Sequence, residues 1–426
     1  MHAGLQKTEA REHHAEIAII GAGAIGLCCA VELARAGRSV VVVDRGEAGR
    51  GASWGNAGWL TPSRAAPLAQ PGHAKKGLNW MLDPESPFYI KPSLSPALAL
   101  WLLRFVRAGS QKRYLRAMPP IVELCDWSTD AWERFASEAP ADFGFQRRGL
   151  LMLCESTHEL DAALRTAELT KPMGVPYERW DDARIREAEP CVIGRSAGGI
   201  YFPKDAHCEP DLLMLALAAH ARSLGVTILE QTEVTGARVE GGAVRALQTA
   251  KGEIGADSFV LAAGAWSGAV GKAFGLRIPM RAAKGYSLKF PRAGHHPERS
   301  IYLSDRKVAV NPHRETLRIA GTLELVGDDL SVNQRRVNAI IKGARAMLRF
   351  AEPQSPPEPW AGLRPCLPDG MPAIGRSPKL DNLWLAIGHQ MTGVKSAPAT
   401  GRLLADLMQS RTPSFDPAPF DPKGRC

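Results

Sequence analysis

The 426-residue chain has eight cysteines but no Cys-x-x-Cys pair, no Cys-x4-Cys pair and no cysteine–histidine spacing of a metal site. Cys28, Cys29, Cys125, Cys154, Cys191, Cys208, Cys366 and Cys426 are scattered. That argues against a disulfide framework or a metal centre and for a reducing compartment. No apolar run approaches the ~20 residues needed to cross a bilayer. The most apolar stretch, Leu94 to Val106, reads as a buried helix, with shallow contact to a membrane surface as its other reading. Residues 1–14 are polar and lack the apolar core of a secretion signal. A cytoplasmic location is therefore expected, with peripheral attachment to the inner face of the membrane left open. Dense blocks of one charge are also missing: 53 Lys and Arg against 44 Asp and Glu give a net +9, but the cations are dispersed. Dispersed cations without interleaved aromatics argue against a nucleic-acid partner.

With 45% hydrophobic and 23% charged residues, the composition is that of an ordinary globular protein. The length suits two closely joined domains. The most informative stretch is Glu16-Ile-Ala-Ile-Ile-Gly21-Ala-Gly23-Ala24-Ile25-Gly26, continuing to Val-Val-Val-Val-Asp44-Arg45. An apolar run, a glycine turn, a helix and a second apolar run ending in an acid form one βαβ unit. Gly21 permits the tight turn, Gly23 lets backbone N–H groups approach a pyrophosphate, and Gly26 lets helix pack on strand. The helix N-terminus adds partial positive charge. Asp44 stands 18 residues beyond Gly26, where a carboxylate can accept from ribose hydroxyls. This pattern predicts a dinucleotide site, open at this point to NAD or FAD.

Further along, residues 80–145 read as mainly helical, Arg148–Cys154 as a strand and Thr157–Thr170 as an amphipathic helix. A helix over Asp211–Leu224 precedes strands at Val226–Leu229, Glu233–Val239, Ala243–Thr249 and Ser258–Gly264. A strand-rich stretch at 277–325 leads to a helix over Asn333–Phe350. The last unit is the strand from Leu383 into Gly388-His389, followed by a helix over Ala397–Met408. The expected fold is α/β plus β: a Rossmann-type domain from 15–80, 199–276 and 355–412, interleaved with an antiparallel-sheet-plus-helices substrate domain from 81–198 and 277–354. Residues 1–14 and 413–426 are expected as flexible tails. A second G-x-G-x-x-G after a strand is absent, so one cofactor taking electrons directly from the substrate is expected.

Taken together, Gly21–Asp44, Gly51-Ala-Ser53-Trp-Gly-Asn56-Ala57-Gly58, Lys284-Gly-Tyr286-Ser-Leu288, Trp360-Ala-Gly-Leu-Arg364-Pro and Gly388-His389-x3-Gly393 resemble the D-amino-acid oxidase superfamily. The order and spacing are most similar to its bacterial D-amino-acid dehydrogenase small-subunit branch, which includes D-hydroxyproline dehydrogenases. The resemblance runs over residues 15–410. It implies non-covalent FAD, since Trp360-Ala-Gly-Leu-Arg364 carries no cysteine of the kind that tethers flavin in sarcosine-oxidase relatives.

The roles that the resemblance implies follow motif by motif. Gly21, Gly23, Ala24, Ile25 and Gly26 hold the pyrophosphate, and Asp44 and Arg45 lie at the ribose. Ser53, Asn56, Ala57 and Gly58 pass beside the flavin ring, Val234 pairs with adenine, and Ala263 and Gly264 end a strand near the cofactor. Gly388, His389, Met391, Thr392 and Gly393 close on the pyrimidine side, where the next helix directs its dipole. Arg364 clamps the substrate carboxylate, for which a guanidinium fork is suited and an ammonium is not. Tyr286 is a candidate second catalytic group beside simple packing. Lys284 reads as a flavin or structural contact, and His207 as a packed residue at the domain junction.

The implied reaction is oxidation of a D-amino acid, cyclic ones such as D-proline or cis-4-hydroxy-D-proline included. Hydride passes from the α-carbon to flavin N5, and electrons go on to a quinone or the respiratory chain. The rival readings are an oxygen-using oxidase of the glycine or sarcosine type, and a flavin subunit or RNA-modification domain serving a macromolecular partner. No metal is expected, and the oligomeric state is not legible.

Overall fold

The computed structural model describes residues 13–72, 85–91, 94–292 and 294–426. The expectation of a tail over 1–14 falls almost wholly outside these residues, as does the start of the 80–145 segment.

Two large sheets organise the chain. In the first, the strand order is Val234–Glu240, Ala243–Thr249, Gly252–Leu261, His13–Ile20, Val40–Val43, Thr227–Leu229. Leu383–Ile387 also pairs, parallel, with Gly252–Leu261, and Ala373–Arg376 runs antiparallel beside it. The central pairings are parallel, and the run Val40–Val43 is buried throughout, as a strand covered on both faces must be. Each of those valines contributes roughly 1.5–3 kcal/mol of burial. The helices Ala24–Arg35, Pro210–Ser223 and Gly393–Met408 pack in one core with this sheet.

The second sheet runs Trp360–Cys366, Arg281–Pro291, Thr316–Leu325, Val308–Pro312, Ser300–Leu303, Leu150–Cys154, Gly198–Phe202, Glu178–Trp180, with Phe88–Ile90 beside Thr316–Leu325. The α/β-plus-β fold is thus as expected, but the strands divide differently from the sequence reading. Gly198–Phe202 and Trp360–Cys366 belong to the second sheet. The latter is fixed by seven paired positions from Arg281–Cys366 to Ser287–Trp360.

The long helix Gln111–Glu138 contributes Ile121, Leu124 and Trp132 to the core of the first sheet. Its link to the C-terminal helix has a local cause. Pro398 lies inside Gly393–Met408 and has no N–H, so the carbonyl of Val394 loses its helical partner. Trp132 Nε1 donates to that carbonyl at 3.0 Å. The helix begins at Gly393, four residues before its expected start, and carries Pro398 within it.

Two expectations are corrected. The segment 413–426 is packed rather than loose. Phe420 is buried, and Arg425 makes two bonds to the Asp369 carboxylate at 2.6 and 3.0 Å and others to the carbonyls of Met371 and Pro372. The Leu94–Val106 stretch forms a helix, Pro96–Ala108, capped by Ser95, but only Trp101 and Ala108 are buried in it. Leu94, Leu100, Leu103 and Val106 stand exposed.

Candidate active site

One cavity of about 1010 Å³ runs from the glycine turn after the first strand to the underside of the second sheet. Gly21 has φ +109°, and a Cβ there would lie 2.5 Å from the carbonyl oxygen of Ala262. Gly26 does not reach the cavity; a Cβ there would lie 1.8 Å from the Gly21 carbonyl oxygen, so it seats helix on turn. The helix Ala24–Arg35 begins at Gly23, which has no side chain to cap it. Ser53 Oγ accepts from Ala24 N at 3.2 Å, and Gly23, Ala24 and Ile25 line the cavity. An uncapped helix end facing a long cavity fits a pyrophosphate.

Asp44 sits at the cavity edge with both carboxylate oxygens engaged: Oδ2 accepts from Ala22 N at 2.7 Å and Oδ1 from Gly46 N at 2.8 Å. Each oxygen keeps a lone pair for a ribose hydroxyl. Arg45 lies with its guanidinium 4.0 Å over the Trp266 ring, and Thr232, Val234, Ala263 and Gly264 complete this end. Asn56 braces the next loop, donating to Ser53 O and accepting from Gly58 N at 2.6 Å. Ala57 lines the cavity, whereas Gly58 does not. Gly58 has φ +74° and lies against Cys208 O, so it serves the loop's turn.

Gly388, His389, Met391 and Gly393 border the cavity from the C-terminal side. His389 is buried, its Nε2 is 3.1 Å from Thr400 Oγ1, and burial pulls its pKa down to about 3. The ring is therefore neutral at physiological pH and anchors the loop to its helix. Thr392 lies behind the lining, donating from Oγ1 to His389 O at 2.6 Å.

Arg364 reaches the cavity from the edge strand of the second sheet. Its Nη1 donates to Thr322 O at 3.0 Å, and among the described residues no carboxylate lies within ion-pair distance of it. Burial lowers its pKa from the ordinary arginine value, yet a guanidinium stays charged. A half-buried cation facing a cavity without its own anion is a site for a substrate anion. Gly285 makes room for it: a Cβ there would lie 2.3 Å from the guanidinium.

Tyr286 borders the cavity, but its hydroxyl is turned away. It bonds to Glu324 Oε2 at 3.0 Å and accepts from Asn333 N at 3.2 Å. Alternation explains this. Arg364 pairs with Ala283, so Ala283, Gly285 and Ser287 share its face, while Lys284 and Tyr286 take the other. The hydroxyl expected to act in catalysis is therefore engaged within the protein's own polar cluster. Lys284, buried between Asp329 and Glu324, belongs to the same polar cluster. His207 is buried outside the cavity, its pKa drawn down to about 4 by burial.

The structure adds residues that spacing did not single out. Trp360 lies between Gly55 and Gly362, where Cβ atoms would come within 2.1 and 2.0 Å of its ring. Arg64 and Lys395 also line the cavity. Lys395 is buried and donates to Thr61 Oγ1 at 3.0 Å and Arg64 O at 3.3 Å; burial lowers its pKa to about 8. None of the eight cysteines lines the cavity.

Comparison with known proteins agrees with this geometry. A D-amino acid dehydrogenase of Xanthobacter autotrophicus is 34% identical over 409 residues, 94% of this chain and 97% of that one. One from Chromohalobacter salexigens is 32% identical, covering 95% and 98%. Glycine oxidase from Geobacillus kaustophilus superposes with a TM-score of 0.78 at 25% identity over 96% and 98% of the two chains. L-proline dehydrogenase from P. horikoshii gives a TM-score of 0.74 at 21% identity over 96% and 97%, a likeness of fold. The family model DAO, described as FAD dependent oxidoreductase, matches residues 16–407, and with nine-tenths of its length so matched the chain belongs to that FAD-dependent family.

Proposed function

We propose that the protein is a D-amino-acid dehydrogenase, acting on amino or imino acids, cyclic ones among them, and passing electrons to a quinone rather than to oxygen. The observation that carries this is Arg364: a half-buried guanidinium with no ion-paired carboxylate among the described residues, opening into the same cavity as the dinucleotide turn. Its fork takes the substrate carboxylate through two parallel bonds. With the carboxylate held there, the α-carbon is presented to the cavity's cofactor side, and catalysis is mainly positioning. Bound FAD supplies the two-electron acceptor for the α-hydrogen. His389, neutral and tied to Thr400, takes no proton, and Tyr286 is turned away, so the substrate enters with its amine already neutral. The imine product hydrolyses to a 2-oxo acid and ammonia, or leaves as a cyclic imine.

A lipid-soluble acceptor accords with the helix Pro96–Ala108. Phe105 on its inner side lines the cavity, while Leu100, Leu103 and Val106 face outward. Residues 86–122 hold six cations (Lys91, Arg104, Arg107, Lys112, Arg113 and Arg116) and no Asp or Glu. An apolar outer face within a segment rich in cations fits an anionic bilayer surface. No helix among the described residues is long and apolar enough to cross a membrane.

The test is anaerobic bleaching of the purified yellow protein with D- and L-amino acids, including D-proline and cis-4-hydroxy-D-proline. Bleaching by D-amino acids, with slow peroxide formation in air and fast turnover with a quinone, is expected. No bleaching by any amino acid overturns the reading, and fast peroxide formation replaces dehydrogenase by oxidase.

A further inference from the structure

Arg64, like Arg364, Arg45 and Lys395, is a cation on the cavity wall that has no ion-paired carboxylate among the described residues. It ends the short 3-10 turn Pro62–Arg64, and its guanidinium lies 4.5 Å over the ring of Tyr302, on a central strand of the second sheet. Among the described residues no carboxylate comes within ion-pair distance of it, whereas two other cations on the cavity wall, Lys307 and Arg50, are matched. Lys307 pairs with Glu159 at 2.7 Å, and Arg50 with Glu47 at 3.0 Å. Arg45 is occupied at the nucleotide end by Trp266. Buried Asp205 feels the charges of Lys395 and Arg64, but its carboxylate is turned to Ser63, whose backbone N–H and hydroxyl both donate to it, and it does not line the cavity. Lys395, on the first turn of the C-terminal helix, bonds the Arg64 carbonyl and adds positive potential at the same wall.

A charge kept in a cavity without a partner is costly unless a ligand supplies one. The cation–π contact with Tyr302 helps to hold the guanidinium at this wall and lowers the entropy lost on binding. Arg364 accounts for one carboxylate of the substrate, which leaves Arg64 for a different group. We infer that Arg64 is a second anion subsite, and that the preferred substrates are D-amino acids carrying an additional carboxylate on the side chain. The inference rests on the proposed D-amino-acid chemistry and deepens it by naming the substrate class. A neutral side chain leaves Arg64 uncompensated; an acidic one of suitable length pairs with it while Arg364 holds the α-carboxylate.

The experiment measures anaerobic flavin reduction by the holoenzyme with D-aspartate, D-glutamate and D-2-aminoadipate, against D-alanine, D-norvaline and D-glutamine. At least one of the three acids is expected to show a lower apparent dissociation constant than its neutral counterparts. Arg64→Gln is expected to raise that constant by about tenfold to a hundredfold, the scale of one charge-assisted contact, and to leave D-alanine within about twofold. Arg64→Lys is expected to recover part of the preference, since charge survives but the fork does not. Reduction by D-alanine with no preference for any acid overturns the subsite while leaving the dehydrogenase reading intact. Equal losses for acidic and neutral substrates in Arg64→Gln overturn it too. Loss of FAD from that variant overturns it as well, by assigning the guanidinium to the cofactor. Absence of reduction by every amino acid overturns both readings.

Discussion

Arg364 donates to the carbonyl of Thr322 at 3.0 Å, and Thr322 occupies the left-handed region at φ +66°. The two facts share a cause. Between the pairs Lys284–Glu324 and Tyr286–Gly321 the strand Thr316–Leu325 carries one extra residue, a β-bulge. A β-branched residue at positive φ costs of order 1–3 kcal/mol. The bulge points a carbonyl at a guanidinium that has no other protein acceptor among the described residues. Nη1 is thereby tied to the sheet at the cavity wall.

Removing the guanidinium separates substrate from cofactor. Arg364→Ala is expected to keep bound FAD and to weaken substrate binding by about two orders of magnitude, within the ~2–5 kcal/mol lost when a buried charge contact is broken. Titration of flavin bleaching checks this, and unchanged affinity removes Arg364 from the role.

Gly285 tests positioning without touching charge. A methyl group there would lie 2.3 Å from the guanidinium, so Gly285→Ala is expected to displace Arg364 from its place beside Thr322. Substrate affinity is expected to fall by about tenfold or more, since a misplacement near 1 Å is enough. The FAD absorption spectrum is expected to stay as in the parent. Wild-type affinity in this variant shows that the arginine is free to adjust.

Tyr286→Phe separates structure from chemistry. Its hydroxyl serves Glu324 and the Asn333 N–H, so the variant is expected to lose about 1–3 kcal/mol of stability in urea unfolding. The rate of flavin reduction is expected to remain within about twofold of the parent. A loss of about a hundredfold in that rate returns Tyr286 to the catalytic machinery.

His389 predicts a pH effect of definite sign. The folded ring stays neutral down to about pH 3, whereas the unfolded ring takes a proton below its ordinary 6.5. Between those values the unfolded state binds one more proton, so stability falls as pH falls, by about 1.4 kcal/mol per pH unit for this group. His207, lowered to about 4, acts in the same direction. Asp205, raised to about 7 by burial, acts in the opposite one: its contribution falls as pH rises from 3.8 towards 7. His389→Asn is expected to flatten the urea-unfolding slope by about one proton across this window. An unchanged slope shows the folded ring to be protonated.

The outer face of Pro96–Ala108 is tested with vesicles. Cosedimentation is expected with anionic phospholipid, weaker on neutral phosphatidylcholine and reduced by salt. Leu100→Glu combined with Leu103→Glu is expected to abolish it while leaving flavin reduction by D-amino acids as in the parent. Equal sedimentation of parent and variant removes this face from contact with lipid.

Much of the dinucleotide half is determined by the sequence alone, because its causes are local. Gly21, Gly23 and Gly26 serve a turn closed within six residues, the four valines before Asp44 make a strand by composition, and the uncapped helix end follows directly. Arg364 stood out because its residue type and neighbours mark it. Tertiary structure decided what depends on pairing between distant strands. Register puts Arg364 opposite Ala283 and so leaves Tyr286 on the far face, a parity that no local pattern contains. The same long-range pairing assigned Trp360–Cys366 to the second sheet. Packing across the cavity brought Arg64, from a turn near residue 62, onto Tyr302, some 240 residues later in the chain. Local spacing sets turns and periodicity, but the face a side chain presents is set by registers and contacts that form only when distant segments meet.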